Sequence, residues 1–347
     1  MSRVRAEELS RRPTPGLGRL LFGSAVVLLC ARIVAGLVTW SPWPSALVIR
    51  RVFNRGAAEM VTEMQQQMPT SGIAGTTGLR YAPGSPDTTF DIFRPDTADA
   101  PLPAVVWIHG GAWISGSAAD VAPYLRILAE HGYTTVGLNY TVGPEATYPT
   151  AVRQLNDALG YLAGNAASLG IDPTRIVLAG DSAGAQLASQ LAALTTNPEY
   201  SRLLGIEPAL HASQLSGVIL NCGVYDLDAL ADLTGITGWG FRTALWSYAG
   251  TKEWSQTDVG TTMSTIRHIT ADFPPTYISG GNGDGLTRTQ SLPLAAALAA
   301  KGVDVTELFW PSSLEPALPH EYQFHLRRPE ARQALTATMD FLAAHTM

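Results

Sequence analysis

Arg175-Ile176-Val177-Leu178-Ala179-Gly180-Asp181-Ser182-Ala183-Gly184-Ala185-Gln186-Leu187-Ala188-Ser189-Gln190-Leu191 is the stretch that decides the fold. Its first five residues are apolar and partly β-branched, and read as a short buried strand. From Ala185 onward the chain is rich in helix formers, with apolar residues at helical spacing. Between the two lies G-x-S-x-G, the pattern of a sharp strand-to-helix turn that lifts a serine hydroxyl to the head of a helix. Glycine on both sides of the turn removes the Cβ atoms that would obstruct it.

A second motif lies upstream. Pro103-Ala104-Val105-Val106-Trp107-Ile108 reads as another buried strand, and it ends in His109-Gly110-Gly111-Ala112-Trp113. An HGG segment at a strand end, ahead of a serine elbow, supplies backbone N–H groups for a developing oxyanion. With GDSAG and HGGAW in hand, the chain resembles the hormone-sensitive-lipase-like esterase/lipase branch of the α/β-hydrolase superfamily. Asn139-Tyr140-Thr141-Val142-Gly143-Pro144-Glu145-Ala146-Thr147-Tyr148-Pro149 is similar to a further segment of that family, Y-x-x-x-P-E-x-x-(F/Y)-P. The resemblance runs from about Ala82 to the C-terminus, with Ala112 standing where many members carry a third glycine. It implies an α/β-hydrolase fold: a mostly parallel sheet, helices on both faces and a helical cap.

In this fold the triad partners follow the serine in the order acid, then histidine. Pro275–Ser279 reads as a strand leading into Gly280-Gly281-Asn282-Gly283-Asp284-Gly285-Leu286, similar to the family's strand-loop-Asp segment. Leu294–Lys301 reads as a helix, Val303–Phe309 as a strand, and Pro311–Pro319 as a loop ending at His320. Ser182, Asp284 and His320 are therefore the candidate triad. Asp258 and Asp272 precede the strand, and His325 is the rival base five residues on. A serine needs an adjacent base to become nucleophilic, imidazole titrates near neutral pH, and a carboxylate orients the ring. Gly110, Gly111 and Ala183 are the expected oxyanion donors. His109 and Asp181 read as scaffold residues.

Composition removes other classes. Two cysteines, Cys30 and Cys222, both in apolar runs, suggest neither a disulfide framework nor CxxC metal spacing. The seven histidines show no HExxH pattern, and no G-x-G-x-x-G follows a strand, so no metal or cofactor is expected. The net charge of −6 and the absence of interleaved basic and aromatic residues speak against nucleic acid. The oligomeric state is not legible.

Charge is unevenly placed. Residues 1–55 carry nine Arg against two Glu, while the remainder carries 14 basic and 27 acidic residues. Leu20–Val38 is a 19-residue apolar run broken by Arg32, close to the roughly 20 residues that span a bilayer. With residues 1–19 basic and Trp40 and Trp43 beyond, residues 20–40 are expected to be a signal anchor in the cytoplasmic membrane, with the catalytic domain outside. A cleaved secretory signal and a soluble cap helix are the alternatives; Arg32 favours the latter, since mid-membrane arginine is costly.

Residues 41–77 read as linker and cap, including Met60, Met64 and Met68 at four-residue spacing, a stripe better suited to core packing than to substrate. The sheet is expected from about Gly78, with residues 78–347 forming the hydrolase domain. Residues 225–272, dense in Trp239, Phe241, Trp246, Tyr248 and Trp254, are a candidate cap insertion. Trp113, Trp239, Phe241 and Trp246 are candidate pocket residues. The expected activity is hydrolysis of short-to-medium acyl esters through an acyl-enzyme. Transfer to another acceptor, or amide cleavage, would use the same triad; a non-catalytic binding protein is the remaining alternative.

Overall fold

The computed structural model describes Arg32, Gly36 and residues 38–231 and 233–347. Eight strands form one sheet in the order β1-β2-β4-β3-β5-β6-β7-β8. They are β1 (Ile73–Arg80), β2 (Thr89–Pro95), β3 (Leu102–Ile108), β4 (Thr134–Leu138), β5 (Ile171–Asp181), β6 (Leu215–Asn221), β7 (Thr276–Gly280) and β8 (Val305–Phe309). β1 and β2 join antiparallel; from β4 to β8 every pairing is parallel.

Parallel strands covered on both faces must be apolar on both, and these are. In β3, Ala104, Val106 and Ile108 face one core, and Val105 and Trp107 the other. β5 repeats the alternation with Ile176 and Leu178 against Val177 and Ala179. The first face is covered by α3 (Thr150–Gly164), α4 (Ala183–Thr196) and α6 (Leu292–Ala300), which bury Leu159, Leu187, Leu191 and Leu298 there. Each such leucine contributes about 1.5–3 kcal/mol. The second face is covered by α2 (Ala118–Glu130) and α7 (Pro329–Thr346), through Tyr124, Leu128, Phe341 and Leu342. This is the α/β-hydrolase architecture.

The sheet starts at Ile73, earlier than the expected Gly78. The Gly- and Thr-rich stretch read as a linker is an edge strand with one exposed face after another, so no apolar alternation marked it. Two elements lie over the C-terminal ends of the parallel strands: α1 (Trp43–Gln65) and α5 (Gly235–Ala249), the latter between β6 and β7. Ala46 and Ile49 of α1 pack against Ile114 and Ala244, and Met64 joins the second core. Arg50 fixes the first half of α1 by donating to both carboxylate oxygens of Glu145 at 2.6 Å, and to the carbonyls of Gly143 and Ile114. Glu63 fixes the second half, accepting from the His325 ring at 3.0 Å.

Among the described residues no helix is long and apolar enough to cross a membrane. Most of the expected anchor, Leu20–Val38, lies outside the described residues. Trp40 and Trp43, placed at the far interface by the sequence reading, are solvent-exposed.

Candidate active site

Ser182 stands at the junction of β5 and α4 with φ 52° and ψ −120°, a region that non-glycine residues rarely adopt. The turn is possible because Gly184 has no side chain: a Cβ there would lie 2.0 Å from the Ile108 carbonyl oxygen. The strained backbone projects Oγ into a cleft, and Ser182 N–H donates to the Asn221 carbonyl at the end of β6.

The Ser182 hydroxyl donates to His320 Nε2 at 2.9 Å, and His320 Nδ1 donates to Asp284 Oδ2 at 2.8 Å. Asp284 is almost fully buried, and its Oδ1 accepts from Leu286 N–H. The acid and base loops are stitched together: Gly283 N–H donates to the Leu318 carbonyl, and Leu318 N–H to Asn282 Oδ1. Partial desolvation of the His320 ring, whose side chain is 38% exposed, disfavours its charged form. The Cys222 sulfur, the Asp284 hydrogen bond and the Glu321 carboxylate outweigh it and hold the pKa well above the ordinary imidazole value. Rival His325 is turned away from the serine and paired with Glu63.

Cys222, buried at the end of β6, places its sulfur within 4.8 Å of the Asp284 and His320 donor atoms. These three are the cluster among the described residues whose spacing could hold a metal ion. Both ring nitrogens of His320 are already engaged by Ser182 and Asp284.

The HGG loop departs from expectation at one residue. Gly110 N–H donates to Asp181 Oδ2 at 2.8 Å, so it does not serve as a free oxyanion donor. Asp181 also accepts from Trp107 Nε1 at 2.7 Å, which fastens the loop to the elbow. Among the described residues, the amides of Gly111, Ala112 and Ala183 carry no partner. His109 is fully buried, stacked on Tyr140 at 4.5 Å, and donates to its neighbour's carbonyl. Burial holds it below the ordinary imidazole value, a structural role as read from sequence.

The cleft above Ser182 has a volume of about 1060 Å³. Trp239 and Phe241 line it, as expected. Trp113 and Trp246 do not. Trp113 is fully buried, stacks on Tyr248 and donates to Gln186, because the HGGAW turn folds that side chain under the loop. Trp246 lies beneath Lys252, whose ammonium sits 4.3 Å from its ring centre. Sequence reasoning missed the other wall, made by Val48, Ile49, Val52, Phe53 and Met60 of α1. Their three- and four-residue spacing is an amphipathic signal, but a sequence does not say what the apolar face covers. The methionine stripe is split: Met64 is core, Met60 lines the cleft.

A family model described as BD-FAE matches residues 90–298, three-fifths of the chain. The chain belongs to the BD-FAE family. Esterase LipQ of Mycobacterium tuberculosis is 36% identical to this BD-FAE chain over 157 residues, 44% of the chain and 36% of LipQ. Carboxylesterase NlhH of the same organism is 28% identical over 284 residues, covering 80% of the chain and 81% of NlhH. Among solved structures, Esterase B from Lactobacillus rhamnosis shares the fold with a TM-score of 0.75 at 24% identity, over 87% of this BD-FAE chain and 95% of that one.

Proposed function

We propose that this BD-FAE chain is a serine carboxylic-ester hydrolase that works through an acyl-enzyme, with Ser182 as nucleophile, His320 as general base and acid, and Asp284 as its orienting carboxylate. The observation that carries this reading is the unbroken hydrogen-bond line from Ser182 through His320 to Asp284, set at a strained elbow on the floor of an apolar cleft. His320 takes the serine proton as Oγ attacks the ester carbonyl, then returns it to the leaving alcohol. The amides of Gly111 and Ala183 receive the oxyanion, with Ala112 N–H in the place first given to Gly110. The names of LipQ and NlhH agree with ester hydrolysis.

For the acyl group we keep chains of roughly C2–C8, held between the α1 wall and Trp239–Phe241. For location, the basic start, the apolar run and the exposed Trp40 and Trp43 support a membrane anchor in residues 20–40, with the catalytic domain outside the cytoplasmic membrane. The test is Ser182→Ala, assayed on a nitrophenyl ester series and with a fluorophosphonate probe. Turnover should fall on the order of 10⁴–10⁶ and labelling should vanish. Undiminished labelling of the variant rejects the nucleophile, and a rate maximum at hexadecanoate rejects the chain length.

A further inference from the structure

Immediately after His320 the chain turns through Glu321, whose φ of 57° lies in the left-handed region that suits glycine. The side chain placed there reaches three parts of the site. Its Oε1 is 3.7 Å from His320 Nε2, the nitrogen that faces the serine. It also lies beside Gly110, where an added Cβ would sit 3.1 Å from Glu321 Oε1 and 2.2 Å from Asp181 Oδ2. The Glu321 and Asp181 carboxyls thus lie close together under the HGG loop. Two carboxylates so close disfavour each other's ionised form. Asp181 is the buried member of the pair. Burial first, and the Glu321 charge second, raise its pKa well above the carboxylate range.

We infer that Glu321 is a positioning residue of the site: its carboxylate, set beside Asp181 and 3.7 Å from His320 Nε2, stabilises the imidazolium and sets the pH above which His320 is free to act as base. The inference rests on the triad reading given above. At 3.7 Å the carboxylate acts through its charge, and it neither takes nor gives the proton that moves from Ser182 Oγ to Nε2 and on to the leaving alkoxide. The other groups facing the ring are Asp284 from the loop after β7, Cys222 from the end of β6, and Ser182 with Asp181 behind it at the elbow. Asp284 acts on Nδ1, so Glu321 is the carboxylate on the reacting side.

The experiment uses the full-length protein and two readouts across pH: kcat/KM on nitrophenyl butyrate, and the rate constant for fluorophosphonate labelling of Ser182. In wild type both should rise with pH through one acid limb. Glu321→Gln, which keeps the shape and removes the charge, should move that limb down by about 0.7 pH unit or more, the effect of a unit charge some 4 Å away even at the dielectric of water. Glu321→Gly relieves the left-handed backbone, so it retains the fold and should show the same shift. Glu321→Asp should bring the limb back toward wild type. A limb that stays in place in both the Gln and Gly variants overturns the role of Glu321, even if the high-pH plateau drops, because lost structure lowers a plateau without moving a limb. Absence of labelling in wild type instead rejects the triad reading on which it rests.

Discussion

Gly184 shows how little room the elbow leaves. A methyl group at that position would meet the Ile108 carbonyl at 2.0 Å and the His109 carbonyl at 2.6 Å, both backbone atoms that cannot rotate away. Gly184→Ala should therefore destabilise the protein on the order of 3 kcal/mol and abolish activity, as overpacking against rigid backbone does. Gly164→Ala, at the end of α3 with nothing within 4 Å of its added methyl, should be neutral or stabilising by about 0.5–1 kcal/mol. Urea unfolding of the two variants checks both; equal stability would mean that the end of β3 and α4 are not pressed together as described. The same crowding explains which residues could be read in advance. Ser182 was legible because its neighbours in sequence are also its constraints. Gly110 was not, since the amide that looks free in HGG is claimed by Asp181, 71 residues further on.

At the scale of elements, α1 is a beam fastened at two points. Arg50 binds Glu145 near one end, Glu63 binds His325 near the other, and the span between them walls the cleft. Burial tends to raise the Glu63 pKa, but the bonds from His325 and Arg327 outweigh it and lower it below 4.5. A carboxylate with a lowered folded pKa stabilises above its unfolded value and loses that contribution as pH falls through the folded one. The second fastening should hence hold at neutral pH and open only as pH falls through the lowered folded value. His325→Ala should open it at any pH. The expected result is faster amide exchange across residues 56–66 and a KM raised several-fold on larger esters, with serine labelling retained. Lost labelling would return His325 to the role of base. Glu145 was noticed in the sequence as part of a family-like segment, yet its partner lies 95 residues away on α1. Strand-end positions of the triad follow from topology and could be read in order. Contacts between a preceding helix and the loops it crosses depend on how the chain closes in space.

The whole molecule places sheet, triad and roof beyond residue 42, so residues 1–40 should be dispensable for chemistry. On the anchor proposed above, deleting them should release the enzyme from the membrane fraction with kcat/KM on nitrophenyl butyrate within about twofold of wild type, well under the tenfold that 1.4 kcal/mol represents. An unfolded or aggregated product would mean that the apolar run packs on the catalytic domain. The pairing of Glu63 with His325 also has a consequence for synthesis. The two residues are 262 positions apart, so at about 5–20 residues per second the roof leaves the ribosome some 13–50 s before the loop that anchors it exists. Through that interval Val48, Val52 and Phe53 have no cleft to wall. On the proposed anchor, a nascent chain held at a lipid surface by its first 40 residues would give that apolar face somewhere to rest until the His325 loop arrives.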